Sequence, residues 1–268
     1  MSGPSVKPST AAPGAGEARP DMVGKALRIL KSIGEGSLEG VTLTEVAKAT
    51  GYPLSTAHRL AATLMREGFV DFDESSKRYR VGLAVFALAQ RVSAGRGFEQ
   101  IALPVLRRLA LQAQESVLMS VLDKDGQLYV AHVQGPLQLN VIGDPGTRGP
   151  IHCTSMGKVL IAFAPAPVRE RLVASLELTR LGPNTITDRA AFAAEIEAVR
   201  ARGYALSDEE HEEGIRAIGV PVTGADGDAI AAISVAAPAF RRSVADLIEI
   251  LPAMRNAAHE LSVTLPLR

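Results

Sequence analysis

Ser155-Met156-Gly157-Lys158 places a hydroxyl three residues before an amine. That S-x-x-K spacing is the nucleophile motif of penicillin-recognising enzymes, whose partner motifs are S-D-N and K-T-G. This chain offers Ser207-Asp208-Glu209 and no K-T-G, so the acyl-transfer reading lacks its partners. Lys158, one turn into a helix, reads more simply as solvated or paired with an acid. Cys153 follows His152, but adjacent side chains point apart, and a lone cysteine is most simply a small buried hydrophobe. The five histidines (58, 132, 152, 211 and 259) show no metal-ligand spacing. No phosphate-binding loop or dinucleotide fingerprint is present, so no metal, cofactor or enzyme activity is implied. The acidic run 208–213 reads as a solvated loop.

What the 152–163 segment does offer is unpaired backbone. It reads as a loop entering a helix, so the amides near Ser155, Met156 and Gly157 are unpaired donors at the positive end of the helix dipole. A small carboxylate can sit there without any arginine. Arg148, in GDPGTRGP just before, is either a second carboxylate clamp or a solvated surface charge.

A second chemistry lies earlier in the chain. Thr42-Leu43-Thr44-Glu45 is a capping box. It opens the helix LTEVAKAT, which stops at Gly51, and Pro53 suits the first turn of the next helix, ending at Gly68. Ala47 and Gly51, four apart, supply a small residue at the helix crossing and a residue tolerant of positive φ in the turn. The outer face of the second helix carries Ser55, Thr56, His58, Arg59 and Thr63. Its N-terminus would point at base edges or phosphates. Arg59 suits guanine or a phosphate, and Ser55 and Thr56 suit phosphate oxygens. Phe69–Asp71 and Arg78–Val81 read as a hairpin whose Lys77, Arg78 and Arg80 would neutralise further phosphates.

These elements predict an α+β protein in two parts. Residues 1–20, rich in Pro and Gly, read as a flexible tail. Residues 21–82 form a winged helix-turn-helix, whose first helix uses Val23, Ala26, Leu27, Leu30 and Ile33 as its apolar face. Residues 83–98 hold a linker helix (Leu83, Phe86, Leu88, Ala89, Val92). Residues 99–268 read as a GAF-like domain with an antiparallel sheet, closed by one long helix, Val244 to Val263. The chain has 268 residues, 29 basic and 29 acidic, and 47% apolar. Neutral balance excludes a polybasic whole-surface binder. Residues 21–100 carry 11 Lys/Arg against 9 Asp/Glu, and residues 101–268 carry 16 against 19, a sign that fits a DNA-binding front. No apolar run is long enough to span a membrane, no secretory signal is visible, and a single cysteine fits the cytoplasm.

LTEVAKATGYPLSTAHRLAATLMREGFV resembles the DNA-binding signature of IclR-family transcriptional regulators. HCTSMGKVLIAF and GYALSDEEHEEGIRAIGVPV resemble that family's two effector-domain signatures. The resemblance implies homodimers or tetramers that bind double-stranded operator DNA under control of a small carboxylate effector. It implies that Cys153, Ser155, Met156 and Gly157 face the effector, with Ser207, Ile215 and Ala217 on the opposing wall. Many members have Lys where this chain has Leu54, so one phosphate contact is expected to be missing. Some have Asp and Cys where this chain has Ser207 and Ala217, which counts against small oxo-acids such as glyoxylate or pyruvate. CTSMGKVLIA and GIRAIGVPV resemble the branch that regulates the β-ketoadipate pathway, which implies an aromatic acid such as protocatechuate or 4-hydroxybenzoate. Gly149 stands where that branch often has Leu, which implies a larger pocket. The alternatives are a regulator sensing an oxo-acid, and a GAF-type sensor acting through a protein partner.

Overall fold

The computed structural model describes residues 21–265, apart from 38 and 97–100. The expected tail and the expected boundary at 98–99 lie outside the described residues. Contacts divide the chain into two compact units, with the boundary between Arg91 and Val92.

In the first unit, α1 (Met22–Gly34) starts at Asp21, whose carboxylate accepts from Gly24 N. α2 (Leu43–Thr50) starts at Thr42 with both capping-box bonds made. Gly51 closes it at φ 71°, the left-handed conformation that the turn requires. α3 (Leu54–Arg66) begins one residue later than Pro53 would suggest, with Pro53 as the cap. β1 (Val70–Asp73) and β2 (Arg78–Val81) pair antiparallel as the wing. Ile29, Ile33, Val46, Ala57, Leu60, Ala61, Leu64, Val70 and Tyr79 form the core. The expected α1 face is only partly covered. Val23, Ala26, Leu27 and Leu30 border one groove along α3 with Val23 and Leu27 exposed, and the buried residues of the helix are Ile29 and Ile33. α4 (Leu83–Arg96) follows, with Leu83, Phe86 and Leu88 exposed.

The second unit is built on a six-stranded antiparallel sheet of order β5-β4-β3-β8-β7-β6. Its strands are β3 (Ser116–Asp123), β4 (Gly126–Val133), β5 (Arg148–Gly149), β6 (Ala205–Asp208), β7 (Ile215–Thr223) and β8 (Ala229–Pro238). Alternation sorts the side chains into two layers. Val117, Met119, Val121, Ile233 and Val235 face α5 (Leu103–Ala113) and α10 (Leu251–Thr264). Leu118, Ala232 and Ala236 face α6 (Ser155–Ala162), α7 (Ala166–Ser175) and α8 (Arg189–Arg202). The residues on this second face are small where α6 crosses. Ala217 pairs with Ala236 and Gly219 with Ser234. A Cβ on Gly219 would lie 2.9 Å from the Ser155 carbonyl carbon, so the glycine admits the N-terminus of α6 against the sheet.

The expected long C-terminal helix is two helices, α9 (Val244–Glu249) and α10. Pro252 has no N–H to donate back to Ile248, and its ring excludes that carbonyl, so the chain breaks at Ile250.

Candidate functional site

Each unit carries one candidate site. In the first, α3 exposes Leu54, Ser55, His58, Arg59 and Ala62 on one side and buries Ala57, Leu60, Ala61 and Leu64 on the other. The exposed set is a contiguous, mildly basic helix surface of major-groove width. Thr56 is half-buried. Thr63 is turned toward the groove against α1, its hydroxyl donating to Arg59 O; the exposed Arg59 side chain also borders that groove, its guanidinium donating to Met22 Sδ at 3.6 Å.

The wing cations are partly committed within the fold. Lys77 is paired with Glu74 at 2.7 Å. Arg78 donates to Gly40 O at 2.7 Å and lies 3.9 Å from Glu45, and Arg80 donates to Glu39 O and lies 3.5 Å from Asp73. Both arginines therefore pin the wing to the loop before α2, and each keeps further N–H donors for other acceptors. Thr42 holds the Glu45 carboxyl below its usual range, through backbone and then side-chain hydrogen bonds. Hydrogen bonds from Ser75 and Ser76 hold Asp73 well below the carboxylate range. The wing loop thus stays anionic at its tip beside Lys77.

In the second unit a cavity of about 390 Å³ lies beyond the N-terminus of α6. Leu118, Ala236 and Pro238 of the central strands, Tyr129 of β4, Ile215 and Ala217 of β7, Val141 and Ile142 of a loop, and Phe240 form its apolar walls. Its polar groups are Thr154, Ser155, Ser207, Ser234, Asn140, His211 and Glu212. Thr154 caps α6 and accepts from Gly157 N at 3.0 Å. The Ser155 and Met156 amides have no acceptor among the described residues. Ser155 Oγ lies 3.0 Å from Ser234 Oγ, and Ser207 Oγ donates to Cys153 O at 2.8 Å. Burial lowers the pKa of His211, against the pull of Glu212. Neither lysine nor arginine is among the lining residues.

The structure brings Ser155, Met156, Ser207, Ile215 and Ala217 together on this cavity and leaves three expected residues out. Arg148 is paired with Asp123 across the β3–β4 turn, the surface-charge alternative rather than the clamp. Cys153 is fully buried behind the wall, and burial pushes its thiol up to about 12, so it is neither a pocket residue nor a nucleophile. Gly157 faces the Ile151 carbonyl, which a Cβ would meet at 2.1 Å; it permits packing and does not line this cavity. The larger pocket implied by Gly149 is also not found. The space a side chain would take is filled by the Tyr129 ring, 2.7 Å from the position of a Cβ.

Sequence reasoning missed Thr154, Tyr129, Ser234, His211, Glu212 and Phe240. Ser234 had a signal, a lone hydroxyl inside the apolar run AIAAISVAA. Phe240 and Tyr129 had none: Tyr129 reaches the cavity through strand pairing, and Phe240 lies in the turn that follows β8.

Lys158 is not solvated. It is 1% exposed, with Nζ 2.6 Å from Glu210 and 3.3 Å from Glu195. Glu195 also takes Arg202 at 2.8 Å. The expected solvated loop is therefore partly core. Burial raises the pKa of Glu210, against the pull of Lys158. A lysine held this way cannot serve as base to Ser155, whose partner is Ser234. A second buried carboxylate, Glu115, binds Arg241 (2.6 and 2.8 Å) and Arg242 (3.2 Å), and Arg241 also holds Leu139 O beside the cavity. Among the described residues no group of three or more His, Cys, Asp or Glu is placed to hold a metal ion. No described helix is long and apolar enough to cross a membrane.

Comparison with known proteins identifies the family of both units. Residues 22–74 match the IclR helix-turn-helix domain, and residues 90–263 match the bacterial transcriptional regulator IclR C-terminal domain. The HTH-type transcriptional regulator BhcR of Paracoccus denitrificans is 34% identical over 238 residues, 89% of this chain and 85% of its own. The p-hydroxybenzoate hydroxylase transcriptional activator of Acinetobacter baylyi is 34% identical over 243 residues, 88% of this chain and 89% of its own. The crystal structure of an IclR homologue from Microbacterium hydrocarbonoxydans, complexed with 4-hydroxybenzoate, superposes with a TM-score of 0.79 at 26% identity, covering 91% of this chain and 98% of that one. The chain belongs to the IclR family: it is a ligand-responsive, DNA-binding transcriptional regulator and not an enzyme.

Proposed function

We propose that this regulator controls genes of aromatic-acid catabolism in the cytoplasm and that its effector is a small ring-bearing carboxylate, of the size of protocatechuate or 4-hydroxybenzoate. The observation that carries the reading is the cavity. Its volume sits at the small end of ligand pockets, its walls are mainly apolar, and its strongest anion-receiving feature is the pair of unpaired amides at Ser155 and Met156. A ring fills apolar space that glyoxylate or pyruvate would leave empty. The A. baylyi activator and the M. hydrocarbonoxydans complex lend support from relatives whose names carry this ligand class.

On the DNA side, α3 enters the major groove of operator DNA, with Ser55, His58 and Arg59 toward base edges and phosphates and Lys77, Arg78 and Arg80 on the flanking backbone. Leu54 leaves its position without a phosphate contact. The exposed Leu83, Phe86 and Leu88 of α4 favour burial against a second copy, which makes the working unit a homodimer or a tetramer of such dimers. The effector shifts DNA affinity by binding one of two conformations more tightly.

The test is a gel-shift on the protein's own promoter, titrated with 4-hydroxybenzoate, protocatechuate, benzoate, glyoxylate and pyruvate. An aromatic acid is expected to change the DNA affinity. A response to an oxo-acid alone moves the protein to the other ligand class.

A further inference from the structure

β4 pairs with β5 so that Gln127 stands opposite Gly149. Tyr129, two residues along the same strand, shares a face with Gln127, and its ring lies across Gly149. An ideal Cβ on Gly149 would sit 2.7 Å from Tyr129 Cε2 and 2.8 Å from its hydroxyl. Any side chain there would drive the ring off its seat. Gly149 thus fixes where the phenol of a cavity-lining residue lies.

Two polar groups stand side by side on this face. The Gln127 side chain lies within hydrogen-bonding reach of the Tyr129 hydroxyl, where it pulls the phenol's pKa down against burial. Gln127 is fully buried; its Oε1 accepts from the Thr154 hydroxyl at 2.6 Å, and its Nε2 has no acceptor. Thr154 is the cap of α6, so the orphaned amide donor stands beside the same helix end that leaves the Ser155 and Met156 amides open. A buried unpaired donor costs stability, and a partner supplied from outside the chain removes that cost.

We infer that Tyr129, seated on Gly149 and flanked by Gln127, is a specificity-determining residue of the cavity, donating a hydrogen bond to an acceptor oxygen of the effector. The inference rests on the cavity being the effector site. Burial raises the pKa of the Tyr129 phenol, which keeps it in its donor form. A neutral donor selects for an oxygen acceptor on the ligand without adding charge to a cavity lined by neither lysine nor arginine.

Calorimetric titration of the full chain with 4-hydroxybenzoate, protocatechuate and benzoate tests this, using wild type, Tyr129→Phe and Gly149→Ala. Tyr129→Phe keeps the ring and is expected to weaken the best-bound acid about tenfold. Its melting temperature and ligand-free operator affinity should match wild type. Gly149→Ala keeps the hydroxyl but displaces the ring, and is expected to weaken the same acid at least as much; a melting curve confirms that the variant is folded. Wild-type affinity in Tyr129→Phe overturns the assignment while leaving the aromatic reading intact. Failure of wild type to bind any of the three acids overturns both together.

Discussion

The described ion pairs of the first unit sit at its surface, while the second unit, beside surface pairs such as Arg148–Asp123, carries two that reach its core. In the winged helix-turn-helix, Lys77–Glu74, Arg80–Asp73 and Arg78–Glu45 each keep at least one partner well exposed. In the effector unit, Lys158 and Glu115 are 1% and 0% exposed and carry their partners inward with them. The difference follows what each unit must do. A surface cation can exchange a carboxylate for a phosphate at little cost. A buried pair cannot exchange; it fixes the geometry of whatever it joins. Lys158 joins α6, whose first turn faces the cavity, to the β6–β7 loop bearing His211 and Glu212. Glu115 joins β3 to Arg241 and, through it, to the loop at Leu139. One unit holds its charges ready for a partner, and the other uses them to shape a cavity.

The sharpest way to break this contrast is to remove a buried cation. Lys158→Met leaves Glu210 buried without its partner, and chemical denaturation should show a loss of about 3–5 kcal/mol. The double variant Lys158→Met/Glu210→Met should recover most of it. Lys77→Met, the surface counterpart, should leave the denaturation curve unchanged and weaken DNA binding. Equal losses from Lys158→Met and Lys77→Met would erase the distinction.

Gly219→Ala comes next. Its Cβ would press on the Ser155–Met156 backbone, which cannot yield without moving the helix end. About 1–3 kcal/mol of stability should be lost. Effector binding should fall while ligand-free operator binding persists, as calorimetry and gel-shift would report. On the DNA side, Arg59→Ala should cost about 1–3 kcal/mol of operator affinity if the guanidinium reads a base in bidentate fashion, with effector affinity untouched. A smaller change is expected from Thr42→Ala, which removes the side-chain cap of α2 and should lower stability by about 1 kcal/mol.

Acid sharpens the comparison further. Glu45 and Asp73 are held below their ordinary values of 4.5 and 3.8, so what they contribute is whole above those values and drains as pH falls through the depressed ones. In the second unit Asp246 is lowered in the same way by Ser243, but Glu210 is raised by burial, so its charged form is disfavoured in the fold and protonation on acidification relieves that penalty. Followed by NMR of isoleucine methyls, Ile29 and Ile33 should lose native shifts at a higher pH than Ile196 and Ile218. The reverse order would show that the wing carboxylates contribute nothing.

The helix-turn-helix was legible because each of its signals is local. A capping box, a glycine at a left-handed turn and a 3.6-residue apolar period act within a few residues, so Thr42, Gly51, Leu60 and Leu64 announce themselves in the sequence. The first turn of α6 was legible for the same reason. In α1, Val23, Ala26, Leu27 and Leu30 do share a face, yet Val23 and Leu27 are exposed, because an apolar period says which residues share a face and not whether a neighbour covers it.

The amino-acid sequence by itself determined the two-part α+β plan, the recognition helix and the open amides at Ser155 and Met156, all consequences of short-range backbone geometry. Only the tertiary structure decided that Arg148 turns outward to Asp123, that Lys158 is core, and that Tyr129 takes the room left by Gly149. Those outcomes depend on which strands pair and at what register, and residues far apart in the chain become neighbours only once the sheet has formed.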